Sequence, residues 1–147
     1  TLSSHDLPTI NGYWRGYDFE LGQKYGVYPN PKILQILRHS RIDAKEKILA
    51  RLSENGITVD KGIDETLSSA VTKKFTHQLQ TYVADVSSAL FGFQPEDWLD
   101  MAEPVNIPGT SMEYANWRRR LTQNIDAIFA DKDIQTLLKE VKAKRKG

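Results

Sequence analysis

Apolar residues recur along much of this chain at the three-and-four-residue step of an α-helix. Ile33, Leu34, Ile36 and Leu37, then Ile48, Leu49 and Leu52, follow that step. Pro31 suits a first helical turn and Asn55-Gly56 supplies a stop, so one or two helices are predicted between Pro31 and Asn55. Phe75, Leu79, Tyr82, Val83 and Val86 mark one face of a helix beginning near Val71. Ile125, Ile128 and Phe129 form a further helical group. A last helix, with Asp131 or Asp133 as its cap or first-turn acid, buries Ile134, Leu137, Leu138 and Val141.

Where that pattern breaks, other elements are predicted. Residues 1–13, with His5-Asp6-Leu7-Pro8-Thr9 and Asn11-Gly12, read as the end of an extended segment running into a turn. Residues 56–69 mix Gly, Asp, Thr and Ser and read as a connector. Ala89-Leu90-Phe91-Gly92-Phe93 has the length and boundaries of a buried strand. Pro95-Glu96-Asp97-Trp98 opens a short helix that Pro104 closes, and Asn106-Ile107-Pro108-Gly109-Thr110 is a rigid turn.

Composition narrows the picture only a little. The chain has 147 residues, enough for one core, and a formal net charge of +1 that asks for no polyanionic partner. It has no cysteine, no apolar stretch long enough to span a bilayer, and no signal-peptide pattern, so the cytoplasm is the expected compartment. The start at Thr1-Leu2-Ser3-Ser4, without an initiator methionine, reads as a cut inside a longer protein.

Phosphate loops, HExxH pairs, nucleophile elbows and calcium loops are absent from the sequence. His5 and Asp6 side by side suit hydrogen bonding to adjacent hydroxyls of one sugar ring, though a turn cap beside a solvated histidine has the same spelling. Glu96 and Asp97 are acids where a helix dipole favours them, which outweighs an acid/base pairing. His39 and His77 lack neighbours at metal-ligand spacing. The basic groups near Trp117 and in the C-terminal tail, from Lys139 to Lys146, are balanced by acids elsewhere, so nucleic acid is not an expected partner.

Three motifs together carry a family resemblance. Ser4-His5-Asp6-Leu7-Pro8-Thr9 with Gly12-Tyr13-Trp14 is similar to the last catalytic motif of the amylomaltases, the 4-α-glucanotransferases related to the α-amylases. The run from Leu90 through Pro95-Glu96-Asp97-Trp98 is similar to that family's final barrel strand and following loop. Asn106-Ile107-Pro108-Gly109-Thr110 with Asn116-Trp117-Arg118-Arg119 resembles its C-terminal signature. Glu96-Asp97-Trp98-Leu99-Asp100-Met101-Ala102-Glu103-Pro104-Val105-Asn106 resembles most the maltodextrin-disproportionating enzymes of enteric and related bacteria.

The resemblance implies that residues 1–147 form a single segment, the C-terminal part of a catalytic (β/α)₈ TIM barrel. The expected fold is a mostly α fragment of that α/β architecture, with five to seven helices and one or two short strands. Residues 1–4 would end barrel strand seven and residues 87–93 would form strand eight. Asp6 matches the family's transition-state-stabilising carboxylate, with His5 and Asn106 as substrate-binding residues. The implied reaction is a retaining transfer from an α-1,4-glucan donor to glucose or a maltodextrin acceptor. It needs no cofactor and no metal. The family's nucleophile and acid/base motifs are matched nowhere, so the segment alone is expected to be inert and to self-associate through uncovered apolar faces. The competing reading is a stand-alone helical module that binds carbohydrate or protein without catalysis.

Overall fold

The computed structural model describes residues 2–69 and 71–145. Among these run seven helices and no strand: α1 (Ile10–Arg15), α2 (Tyr17–Lys24), α3 (Pro31–Glu54), α4 (Lys73–Ala84), α5 (Pro95–Trp98), α6 (Ile125–Ala130) and α7 (Lys132–Lys144). No helix is long and apolar enough to cross a membrane among these residues.

The region between Pro31 and Asn55 is one helix, α3. The Asn30 side chain accepts from Lys32 N at 2.9 Å, Pro31 opens the first turn, and Gly56 follows the C-cap with φ +73°. Only part of its apolar pattern is buried: Leu34 and Leu52 are covered, while Ile33 and Ile36 face outward. α4 is capped by Thr72, whose Oγ1 accepts from Phe75 N at 3.1 Å, and it ends at Ala84. Val86 therefore lies beyond the helix and is exposed, against the predicted five-residue face. Asp131 caps α7 through Asp133 N and Ile134 N, and Ile134, Leu137 and Val141 are buried as expected, with Leu138 half-buried.

The main core joins Ile10 and Trp14 of α1, Leu52 of α3, Ile63 of the connector, and Phe75 and Leu79 of α4. Trp14 meets Phe75 edge-on, ring centroids 4.6 Å apart, and burying each ring is worth about 2–3 kcal/mol. Lys45 is fully buried against them. Its Nζ donates to Trp14 O at 2.8 Å and to Thr66 O, and it lies 4.5 Å from the Trp14 ring centre. Burial lowers its pKa to about 8, with Asp64 opposing that shift. A smaller cluster of Ala84, Leu137 and Val141 is covered by Phe91, Phe93 and Trp98.

Two expectations are corrected. Neither residues 2–4 nor residues 87–93 form a strand, and Leu90 is 88 % exposed. Thr1, the first residue of the expected seventh strand, and Lys146 of the basic tail lie outside the described residues. A strand must pair its backbone N–H and C=O groups with a neighbour, and neither segment has a neighbouring strand among the described residues. The second correction lies in residues 1–13: the turn is present at His5-Asp6, closed by Leu7 N donating to Ser4 O at 3.0 Å, but from Ile10 the chain is helical as α1, continuing into α2 across Gly16 at φ +68°. The Thr9 cap, accepting from Gly12 N at 3.0 Å, is visible in the sequence, but the other anchors of α1 come from far along the chain.

Candidate functional site

Residues 3–12 lie along residues 97–106, joined by a series of contacts. Asp97 accepts from Ser3 Oγ at 2.5 Å and from Ile10 N at 2.7 Å, satisfying a donor of the first turn of α1. Asn11 Nδ2 donates to Asp100 Oδ1 at 2.6 Å and to Asp100 O at 3.2 Å, and Thr9 Oγ1 donates to Ala102 O at 3.3 Å. Gly12 packs so closely that a Cβ there would stand 2.5 Å from Ala102 O. At the open end Asn106 Nδ2 donates to Asp6 Oδ1 at 2.7 Å.

Asp97 is only 4 % exposed, and burial pushes its carboxyl up to about 6 from its ordinary 3.8. The Ser3 and Ile10 hydrogen bonds oppose that shift and the neighbouring Glu96 adds to it. Asp97 thus ties down the Ser3 hydroxyl and the Ile10 backbone, one on each side of His5-Asp6, without facing solvent itself. Its role is structural, as the helix-start reading of Glu96-Asp97 implies, but it caps α1 rather than decorating its own helix.

His5 and Asp6 are about half exposed, and His5 Nε2 lies 3.0 Å from Asp6 Oδ2. The two Asp6 oxygens are therefore held by Asn106 on one side and His5 on the other. A carboxylate offers about four lone-pair positions, which leaves acceptor capacity facing solvent. The turn that presents Asn106 is fastened internally. Asn116 Oδ1 accepts from Ile107 N at 2.9 Å, and its Nδ2 donates to Thr110 Oγ1 at 2.9 Å and Thr110 O at 3.2 Å. Tyr114 Oη donates to Pro104 O at 2.6 Å, and Arg119 lies between Glu96 and Glu103 at 3.9 and 3.7 Å.

Trp117 N donates to Val105 O at 3.1 Å, closing the same loop. The residue has φ +61°, a left-handed backbone that costs a bulky side chain about 1–2 kcal/mol. Its indole is 63 % exposed and lies against the His5 imidazole, ring centroids 4.9 Å apart and tilted by 45°. An apolar cavity of about 550 Å³ adjoins this surface through Leu7 and Pro8, with Trp14, Ile48 and Leu79 among its other walls. No group of three or more acidic, histidine or cysteine side chains is positioned to hold a metal ion among the described residues.

Comparison with known proteins bears directly on this arrangement. A family model described as 4-alpha-glucanotransferase matches residues 1–125, which include all of the His5, Asp6, Asn106 and Trp117 cluster. The chain belongs to the 4-alpha-glucanotransferase family. It is 28 % identical over 141 residues to the 4-alpha-glucanotransferase of Haemophilus influenzae, an alignment covering 96 % of this chain and 20 % of that protein. It is 30 % identical over 149 residues to the 4-alpha-glucanotransferases of Mycobacterium bovis and Mycobacterium tuberculosis, covering 97 % of this chain and 20 % of each. The chain thus spans about one fifth of the length of these relatives.

Of the residues singled out for a glucan site, the fold brings all three together: Asn106 donates a hydrogen bond to one Asp6 oxygen, and His5 Nε2 lies 3.0 Å from the other. Sequence reasoning placed Trp117 in the family's C-terminal signature and beside a basic run, but gave this aromatic neighbour of the three no site role. The signal that could have found it is its place directly after Asn116, in the same motif as Asn106.

Proposed function

We propose that this chain is the C-terminal part of a retaining 4-α-glucanotransferase that moves segments of α-1,4-glucan from a donor to glucose or a maltodextrin acceptor. The observation that carries the reading is the clamped carboxylate. Asp6 is held through both oxygens by Asn106 and His5 yet remains half exposed, as a group that grips a sugar must be. Hydrogen bonds from ring hydroxyls to such a carboxylate lower the barrier if they tighten as the oxocarbenium-like transition state forms. His5 and Asn106 hold the carboxylate in place and contribute contacts to the same sugar.

In this reading the nucleophilic aspartate and the acid/base glutamate come from the rest of a (β/α)₈ barrel. The 147-residue chain alone is then inert. Residues 87–93 would find strand partners there, which accounts for a strand-like sequence without a strand here. The apolar cavity beside Leu7 and Pro8 is the kind of surface the rest of the barrel would cover, and its exposure in the isolated chain favours self-association. A protease-resistant monomer in sedimentation would count against that. The absence of cysteine suits a cytoplasmic enzyme.

The test is maltotriose disproportionation, following glucose release and longer maltodextrins, by the full-length enzyme with Asp6 intact or replaced. Asp6→Asn is expected to lower transfer at least about a thousandfold while the fold persists. Full activity of Asp6→Asn would remove Asp6 from the chemistry, and turnover by the 147-residue chain would put the active site elsewhere.

A further inference from the structure

We propose that Trp117 is a stacking platform for one glucose ring of the glucan bound at Asp6, and so helps set how tightly the sugar chain is held; this rests on the reading of Asp6 as a sugar-gripping carboxylate. The sequence has three tryptophans, and the structure uses two of them for packing. Trp14 is buried in the main core, and Trp98 packs against Phe93 and Phe129. Trp117 alone presents most of its indole to solvent.

Exposure by itself is ordinary, but three features set this indole apart. Its backbone sits at φ +61°, a conformation bulky residues avoid unless their surroundings impose it. The surroundings here are the Trp117 N–H to Val105 O bond and the three hydrogen bonds of Asn116, all within the turn that presents Asn106 to Asp6. The ring then rests on His5, whose imidazole contacts Asp6. The loop that supplies the Asn106 hydrogen bond therefore also sets an exposed indole against His5, whose imidazole lies 3.0 Å from the same carboxylate.

The chemistry matches a pyranose. A glucose ring has C–H groups on its faces and hydroxyls around its edge, so an indole under the face and a row of polar groups at the edge together satisfy both. Asp6, His5 and Asn106 form that polar row, and Trp117 lies at its His5 end. An apolar plane binds the ring in ground state and transition state alike, so its loss raises KM more than it lowers kcat.

The experiment compares Trp117→Ala, Trp117→Phe and Asp6→Asn in the full-length enzyme, measuring kcat and KM for maltotriose disproportionation. Trp117→Ala is expected to raise KM about tenfold with kcat within about threefold, and Trp117→Phe to recover most of the affinity. If Trp117→Ala does not fold, Trp117→Leu replaces it, keeping apolar bulk but no ring face. An unchanged KM in a folded variant overturns the platform. So does a loss confined to kcat, which would make Trp117 a positioning residue acting through His5. Should Asp6→Asn retain transfer while Trp117→Ala raises KM, the role of Asp6 falls and the platform stands. Should Asp6→Asn abolish transfer while KM is untouched in Trp117→Ala, the platform alone falls.

Discussion

Asn106 Nδ2 donates to Asp6 Oδ1 at 2.7 Å although one hundred positions separate the two residues. The bond joins the His5-Asp6 motif to the Asn-Ile-Pro-Gly-Thr turn, and it fixes one carboxylate oxygen while leaving the other to His5. Replacing Asn106 with Ala in the full-length enzyme should lower kcat/KM for maltotriose by about tenfold, the usual weight of one hydrogen bond to a charged group. Thermal stability should change little, because the pair is exposed. A variant with unchanged kcat/KM would show that Asp6 needs no such partner.

Asp97 makes stability depend on pH in a defined window. Its folded carboxyl titrates at about 6 against an ordinary 3.8, so the folded chain holds a proton that the unfolded chain has released between those values. Its contribution is fully present below about pH 4 and is lost as pH rises through 6, by up to about 3 kcal/mol at roughly 1.4 kcal/mol per pH decade. The Asp97→Asn variant, which keeps an acceptor for Ile10 N, should lack this slope. The difference in melting temperature between variant and wild type should therefore grow from pH 4 to pH 7. A constant difference would mean that Asp97 is not shifted upward.

Gly12 is expected to tolerate no side chain. A Cβ would stand 2.5 Å from the backbone oxygen of Ala102, so Gly12→Ala must push apart the two segments that flank the site, at a cost of about 1–3 kcal/mol. At Gly26, where φ is +72° but the space is open, Ala should cost about 1 kcal/mol through backbone strain alone. Only Gly12→Ala should also impair transfer, which activity assays on the two melted-and-matched variants would separate.

Lys45 is the buried charge that holds α3 to the Trp14 and Thr66 carbonyls. Lys45→Ala removes the donor, leaves both oxygens short of a partner and opens space beneath Trp14, so a loss of about 2–4 kcal/mol is expected. Urea unfolding followed by tryptophan fluorescence measures it. A neutral result would show that water replaces the ammonium at both carbonyls.

The sequence by itself determined the helices whose signals are local. Asn30-Pro31, Thr72 and Asp131 mark helix starts through side chains two or three residues from the N–H groups they satisfy, and α3, α4 and α7 begin there. It also determined the family, because His5-Asp6, Glu96-Asp97-Trp98 and Asn106 with Asn116-Trp117 are distinctive as words in order. Tertiary structure decided the rest. α1 depends on Asp97, eighty-seven positions away, and an acceptor that distant leaves no periodic trace. The apolar run around Leu90 has the composition of a buried strand, but a strand exists only where another strand completes its hydrogen bonds, and residues 87–93 have none beside them among the described residues. The His5, Asp6, Asn106 and Trp117 cluster likewise exists only after the segments flanking Asp97 and Ala102 meet, since residues so far apart become neighbours through packing and not through spacing.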